Sequence, residues 1–209
     1  MSYRAINATT VTLVDLLAVK FAADALLRPL FDSGLGGSLV VSARTPQEMS
    51  ANDTSGLSIW LYHIARDPEL LNMPPRRTGP DTWEERPLPL RLHYLITPVV
   101  NGTDNASNDA GLEQLVIGKV LQTMHDTPTL QGSLLRGDLS GSGTSLSVRL
   151  EPLGLEEITR VWDALESSYQ LCVSYEVSLV LVNSDKQAER VTPVSSIEPS
   201  IGVLAGVQP

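Results

Sequence analysis

Between Leu153 and Asn183 the spacing of hydrophobic positions changes period once. Leu155, Ile158, Trp162 and Leu165 recur every three or four residues, and then Val173, Tyr175, Val177, Leu179 and Leu181 alternate with Ser174, Glu176 and Ser178. The first spacing lays an apolar stripe along a helix, and the second puts one parity of a strand on a core. A Trp-bearing helix packed on a sheet is therefore predicted, with a tight connection between the two.

The same reading places the other elements. A first helix is expected from a cap at Thr9 or Thr10 to about Phe31, followed by a flexible exit at Ser33, Gly34, Gly36 and Gly37. Leu39 to Ala43 is a short strand, and Thr45 to Gly56 reads as a loop because Pro46, Asn52 and Gly56 interrupt it. Leu57 to Ala65 is apolar on both parities, the pattern of a strand covered on both faces. Leu88 to Thr97 alternates, with Leu88, Leu90, Leu92, Tyr94 and Ile96 opposite Arg91 and His93. Between these strands, residues 68–87 form an excursion rich in proline and charge. After a polar loop from Asn101 to Gly111, Leu112 to His125 is helical, and Leu146 to Leu150 is a short strand. Beyond Asn183 small residues and prolines predict a partly ordered arm.

Composition removes several classes of function. A net charge of −9 gives no basic surface of the kind a nucleic-acid partner needs. Cys172 is the only cysteine, which excludes an intrachain disulfide and a cysteine-built zinc site. The apolar run from Val11 to Phe31 is long enough to span a bilayer, but Asp15, Lys20, Asp24 and Arg28 interrupt it on one side, so an amphipathic helix is expected and no membrane partner. No secretory signal is read at the N-terminus.

Candidate chemistry is sparse. His63, His93 and His125 lack a metal partner at helical spacing, and no acid or cysteine accompanies both His63 and His93 on one parity. No phosphate loop follows Gly34 to Gly37, and the run from Gly141 to Ser145 lacks the order of a nucleophile elbow. Glu156 and Glu157 suit the first turn of their helix, where the dipole favours carboxylates. No catalytic residue, cofactor or metal is assigned. Binding to a partner protein is expected instead at Arg76, Arg77, Trp83 and Arg86 in the excursion, Trp83 being an aromatic in a charged setting. Glu176, on the polar parity of its strand, is added as a residue that could pair with a basic group of a neighbouring subunit.

Four segments in order carry a resemblance: SIWLYHIARDPELLN at Ser58 to Asn72, PLPLRLHYLITP at Pro87 to Pro98, LEQLVIGKVLQTMHDTPTL at Leu112 to Leu130, and VWDALESSYQLCVSYEV at Val161 to Val177. Together they resemble the N-terminal domain of the cap, or tail-terminator, proteins of phage-tail-like extracellular contractile injection systems. The resemblance runs from about Thr10 to Val182 and leaves the C-terminal arm uncovered. It implies a non-enzymatic protein that assembles as a homo-oligomeric ring, a hexamer, at the end of the particle distal to the baseplate. Its partners would be sheath and inner-tube subunits, and its place the bacterial cytoplasm during assembly and then the particle.

The expected fold is α/β in the α+β sense: a mixed, largely antiparallel sheet flanked by about three helices. Residues 1–183 would form this body and residues 184–209 the arm. Two other functions stay open at this point, a connector or baseplate component of the same particle and a small hydrolase using His63 and His93.

Overall fold

The computed structural model describes residues 2–70, 74–79, 81–100, 106–187 and 189–190. Six strands build the main sheet: β1 (Val40–Ser42), β2 (Gly56–Arg66), β5 (Leu88–Val99), β8 (Val173–Val182), β7 (Ser145–Leu150) and β6 (Thr129–Gln131), in that spatial order. Only β1 and β2 run parallel, so the sheet is mixed and largely antiparallel. Three short strands form a second sheet, β3 (Arg76–Arg77), β4 (Thr82–Glu84) and β9 (Glu189–Arg190). The helices are α1 (Ala5–Ala22), α2 (Arg28–Phe31), α3 (Pro46–Ala51), α4 (Ala106–Asp126) and α5 (Leu155–Ala164).

The two faces of the main sheet are covered unequally. On one face Leu57 and Ile59 of β2, Leu92, Tyr94 and Ile96 of β5 and Tyr175 and Val177 of β8 join Leu13, Leu17 and Phe21 of α1 and Val116, Val120 and Met124 of α4 in one core. On the other face α5 covers only part of the sheet. There Trp162, Leu165, Leu95 and Cys172 are buried together, with Trp60, Tyr62, Ile158 and Val161 packed around them. The Trp162 Nε1–H donates to the Cys172 sulfur at 3.4 Å, and burial beside the indole pushes the Cys172 thiol pKa up.

Helix α1 is long and apolar enough to cross a membrane, yet it lies along the sheet with its apolar side buried. It also differs from expectation at both ends. Thr9, Thr10 and Thr12 are not caps: their hydroxyls donate to the carbonyls of Ala5, Ile6 and Ala8, so they sit inside a helix that starts earlier. The helix stops at Ala22, because Asp24 turns the chain by accepting the backbone N–H groups of Leu26 and Leu27. Pro29 then lies in the first turn of the separate helix α2.

The expected loop from Thr45 to Gly56 contains helix α3. Its cap is a complete box, the Glu48 N–H donating to the Thr45 hydroxyl at 3.1 Å and the Thr45 N–H to the Glu48 carboxylate at 3.0 Å, with Pro46 beginning the helix. Gly56, at φ +145°, then lets β2 pass against β1, where a Cβ would overlap the Val40 carbonyl. In the excursion β3 and β4 form a hairpin, and strand β6 was also not predicted. Helix α4 begins at Ala106, inside the expected polar loop; residues 101–105 of that loop lie outside the described residues.

Two β-bulges break the alternation read from sequence. In β2, Leu61 pairs with Tyr94 and His63 with His93, which leaves Tyr62 as an extra residue. In β8, Val180 pairs with Leu90 and Val177 with Leu92, so Ser178 and Leu179 both oppose Arg91. Leu179 takes φ +66° and is 41% exposed, while Val180 is buried in its place. Leu179 and Leu181 thus do not share the core parity of Val177.

Replacing Trp162 with Ala should cost about 3 kcal/mol or more in a urea titration, since it empties the centre of the smaller core. Leu155→Ala, at a position 68% exposed, should stay within about 0.5 kcal/mol.

Candidate functional site

The sequence-predicted binding residues fall in two places. Arg76, Arg77 and Trp83 belong to the small sheet, where Arg76 pairs with Glu84 and Arg77 with Trp83. The turn closes through the Thr78 N–H donating to the Thr82 carbonyl at 3.0 Å, and the Arg77 Nε–H donates to the Gly79 carbonyl at 2.9 Å. Arg86 follows β4 and donates through Nε to the Pro74 carbonyl at 3.1 Å, tying the base of the hairpin. On the other side of β4, Thr82 pairs with Arg190 and Trp83 with Glu189, so the last described residues of the C-terminal arm form the third strand of this sheet. Residues 191–209 lie outside the described residues. Both Arg76 and Arg77 are exposed, and Trp83 is 36% exposed. The outcome is a small, charged, aromatic-bearing sheet.

Glu176 lies elsewhere, on the half of the main sheet's second face that α5 leaves uncovered. It forms an ion pair with Arg91 of its own chain at 3.5 Å. Arg91 also meets Asp67 at 3.1 Å and Glu69 at 3.5 Å. The hydrogen bond that Arg91 donates to Asp67 and the fields of Glu176, Asp67 and Glu69 raise the Arg91 pKa further. Because Asp67 and Arg91 stand at the two roots of the excursion, the pair anchors it to the sheet. The carboxylate of Asp67 also accepts the Glu69 N–H at 3.0 Å.

Beside this anchor runs a row of polar residues directly paired across four strands: His63, His93, Glu176 and Arg149. The bulge at Tyr62 creates the row, since simple alternation would put His63 on the opposite face. The two imidazoles lie 5.1 Å apart between ring centroids. Glu151, just past β7, reaches the same spot with Oε1 2.8 Å from His93 Nδ1, while its Oε2 accepts the Ser174 hydroxyl at 2.5 Å. The Tyr62 hydroxyl reaches that Oε2 at 3.4 Å, and burial raises the Tyr62 pKa. Two acids thus accompany His93 on one face, contrary to the strand parity read from sequence. Sequence reasoning missed Glu151 because it stands outside any strand pattern, and it missed Asp67 and Arg91 as a pair because 24 residues separate them.

The chemistry of this row does not resemble a hydrolase. In a nucleophilic triad the imidazole bridges hydroxyl and acid; here the Glu151 carboxylate lies between His93 and Ser174, so the imidazole has no contact with the hydroxyl it would have to deprotonate.

A family model described as the Pvc16 N-terminal domain matches residues 8–196. The chain belongs to the Pvc16 N-terminal domain family. The resemblance read from the four ordered segments agrees with that membership. Two solved structures are similar to this chain. One is the tube-terminating cap of the anti-feeding prophage, at 20% identity and a TM-score of 0.51, with 78% of this chain and 55% of that one covered. The other is the sheath/tube terminator of the PVC extracellular contractile injection system in its extended state, at 20% identity and a TM-score of 0.47, with 74% and 52% covered. The chain spans about half the length of each. The cap of the anti-feeding prophage shares its fold. No curated protein matches.

Arg91→Ala should destabilise the protein by about 2 kcal/mol in chemical denaturation, because Asp67, whose side chain is 5% exposed, loses its cation. Glu69→Gln, at a side chain 82% exposed, should cost less than about 0.5 kcal/mol.

Proposed function

We propose that this chain is a structural terminator of a contractile injection system, ending tube and sheath polymerisation at the end distal to the baseplate. The observation that carries this reading is the family match over residues 8–196, supported by a fold shared with a tube-terminating cap. No enzymatic role is proposed, in line with the placement of Glu151 between His93 and Ser174.

The subunits close into a homo-oligomeric ring, six being the number that the resemblance implies, and the ring anchors the last sheath layer during contraction. A closed ring needs two different complementary surfaces on each subunit. The small sheet, with Arg76, Arg77, Trp83 and Arg86, is assigned as one of them because charge and a half-exposed indole are typical of an interface anchor. Assembly takes place in the bacterial cytoplasm, after which the protein stays in the particle.

Deleting the gene should give particles of uncontrolled length with unstable sheaths when viewed by electron microscopy; normal length and intact sheaths would overturn the reading. A label on the protein should mark only the end opposite the baseplate, whereas label at the baseplate would favour a connector. Trp83→Ala combined with Arg76→Glu should weaken subunit association at least tenfold in analytical ultracentrifugation while the circular dichroism spectrum stays unchanged.

A further inference from the structure

The polar row on the uncovered half of the sheet brings imidazole and carboxylate groups together. Atoms of His93, Glu151 and Glu176, one from each, lie within 4.8 Å of one another; His93 and Glu176 are paired on adjacent strands, and Glu151 follows the end of β7. Donors around a tetrahedral zinc ion stand about 3.3 Å apart, given metal–ligand distances near 2.0–2.1 Å. Small side-chain rotations close that difference.

We propose that His93, Glu151 and Glu176, with His63 as a fourth donor, bind one divalent transition-metal ion of the zinc class. This does not rest on the terminator reading. His63 faces His93 across two antiparallel strands in direct register, with the rings 5.1 Å apart, so one imidazole can turn toward an ion held by the other. A set of two imidazoles and two carboxylates without sulfur suits zinc and its neighbours and is a poor match to magnesium, which prefers all-oxygen octahedral surroundings.

The surroundings orient the donors. Glu151 is held through Oε2 by the Ser174 and Tyr62 hydroxyls, which leaves Oε1 directed at His93. Hydroxyls that fix a ligating carboxylate are the usual outer partners of a metal site. The ion would replace the His93–Glu151 hydrogen bond with two bonds to metal. Glu176 can turn away from Arg91 without stranding that cation, because Asp67 and Glu69 remain its partners. Arg149, the other neighbour of Glu176 in the row, is exposed and free to extend into water. With Arg91 neutralised by Asp67 and Glu69, the dication compensates the charges of Glu151 and Glu176.

The test is isothermal titration of the metal-stripped full chain with zinc chloride, with magnesium chloride as control. One zinc ion per chain at micromolar affinity is expected, with no heat of binding from magnesium. His93→Ala and Glu176→Gln should each weaken zinc binding at least tenfold, and His63→Ala, at an exposed position that leaves the fold intact, should weaken it several-fold. The proposal is overturned if the intact chain takes up no zinc, or if the variants, shown folded by circular dichroism, bind it as tightly as the parent.

Discussion

Both faces of β5 have to be kept from water, and the two covers are of different kinds. Its core parity, Leu90, Leu92, Tyr94 and Ile96, lies under α1 and α4, while Leu95 on the other parity lies under Trp162 of α5. The strands that flank β5 in the sheet, β2 and β8, complete the surface on which both covers pack. The hydrophobic burial that stabilises the fold therefore depends on long-range strand pairing, and the helices are positioned by it.

The smaller cover ends short of the strand ends, and that boundary shapes the chemistry of the surface. Past the edge of α5 the second face changes from Trp60 and Leu95 to His93, Glu176 and Arg91. Each bulge sits at this change. The one at Tyr62 brings His63 onto the polar half, and the one at Ser178 and Leu179 sets two residues against Arg91. Placing Leu179 at positive φ is unfavourable for a bulky residue, by roughly 1 kcal/mol or more. Burying Val180 in the core in its stead offsets that cost.

The main strands and α5 were legible because their periodicity is long and regular, as in Leu90 to Ile96. What sequence could not show were features that one residue decides. A bulge has no pattern of its own, so parity from Val173 to Leu181 gave the wrong face to Leu179. The threonines of α1 look like caps because a Thr hydroxyl bonds equally well to the carbonyl four residues back. Helix α3, by contrast, is signalled by the capping-box spacing of Thr45 and Glu48 with Pro46 between them, which the loop reading from Pro46, Asn52 and Gly56 did not use. Of the candidate binding residues, Arg76, Arg77 and Trp83 share one small sheet because their hairpin is local, with Arg86 at its base. Glu176 joined them in expectation only because strand parity is blind to the Arg91 that faces it.

The edges of the main sheet bear on how a ring of this protein would hold together. Both β1 and β6 are three residues long, and they differ in direction relative to their neighbours. Short edges discourage open-ended strand addition, which suits a subunit whose role would be to stop growth. They also limit what main-chain pairing can contribute, since three residues offer only two or three hydrogen bonds at about 1 kcal/mol each. Most of the affinity between subunits would then have to come from side chains. The excursion hairpin is where charge and an indole are displayed together, and its root is fixed to the sheet by Asp67 and Arg91. An interface carried on an anchored hairpin loses less conformational entropy on docking than one carried on a free loop, so the ion pair at the root would act on assembly as well as on folding.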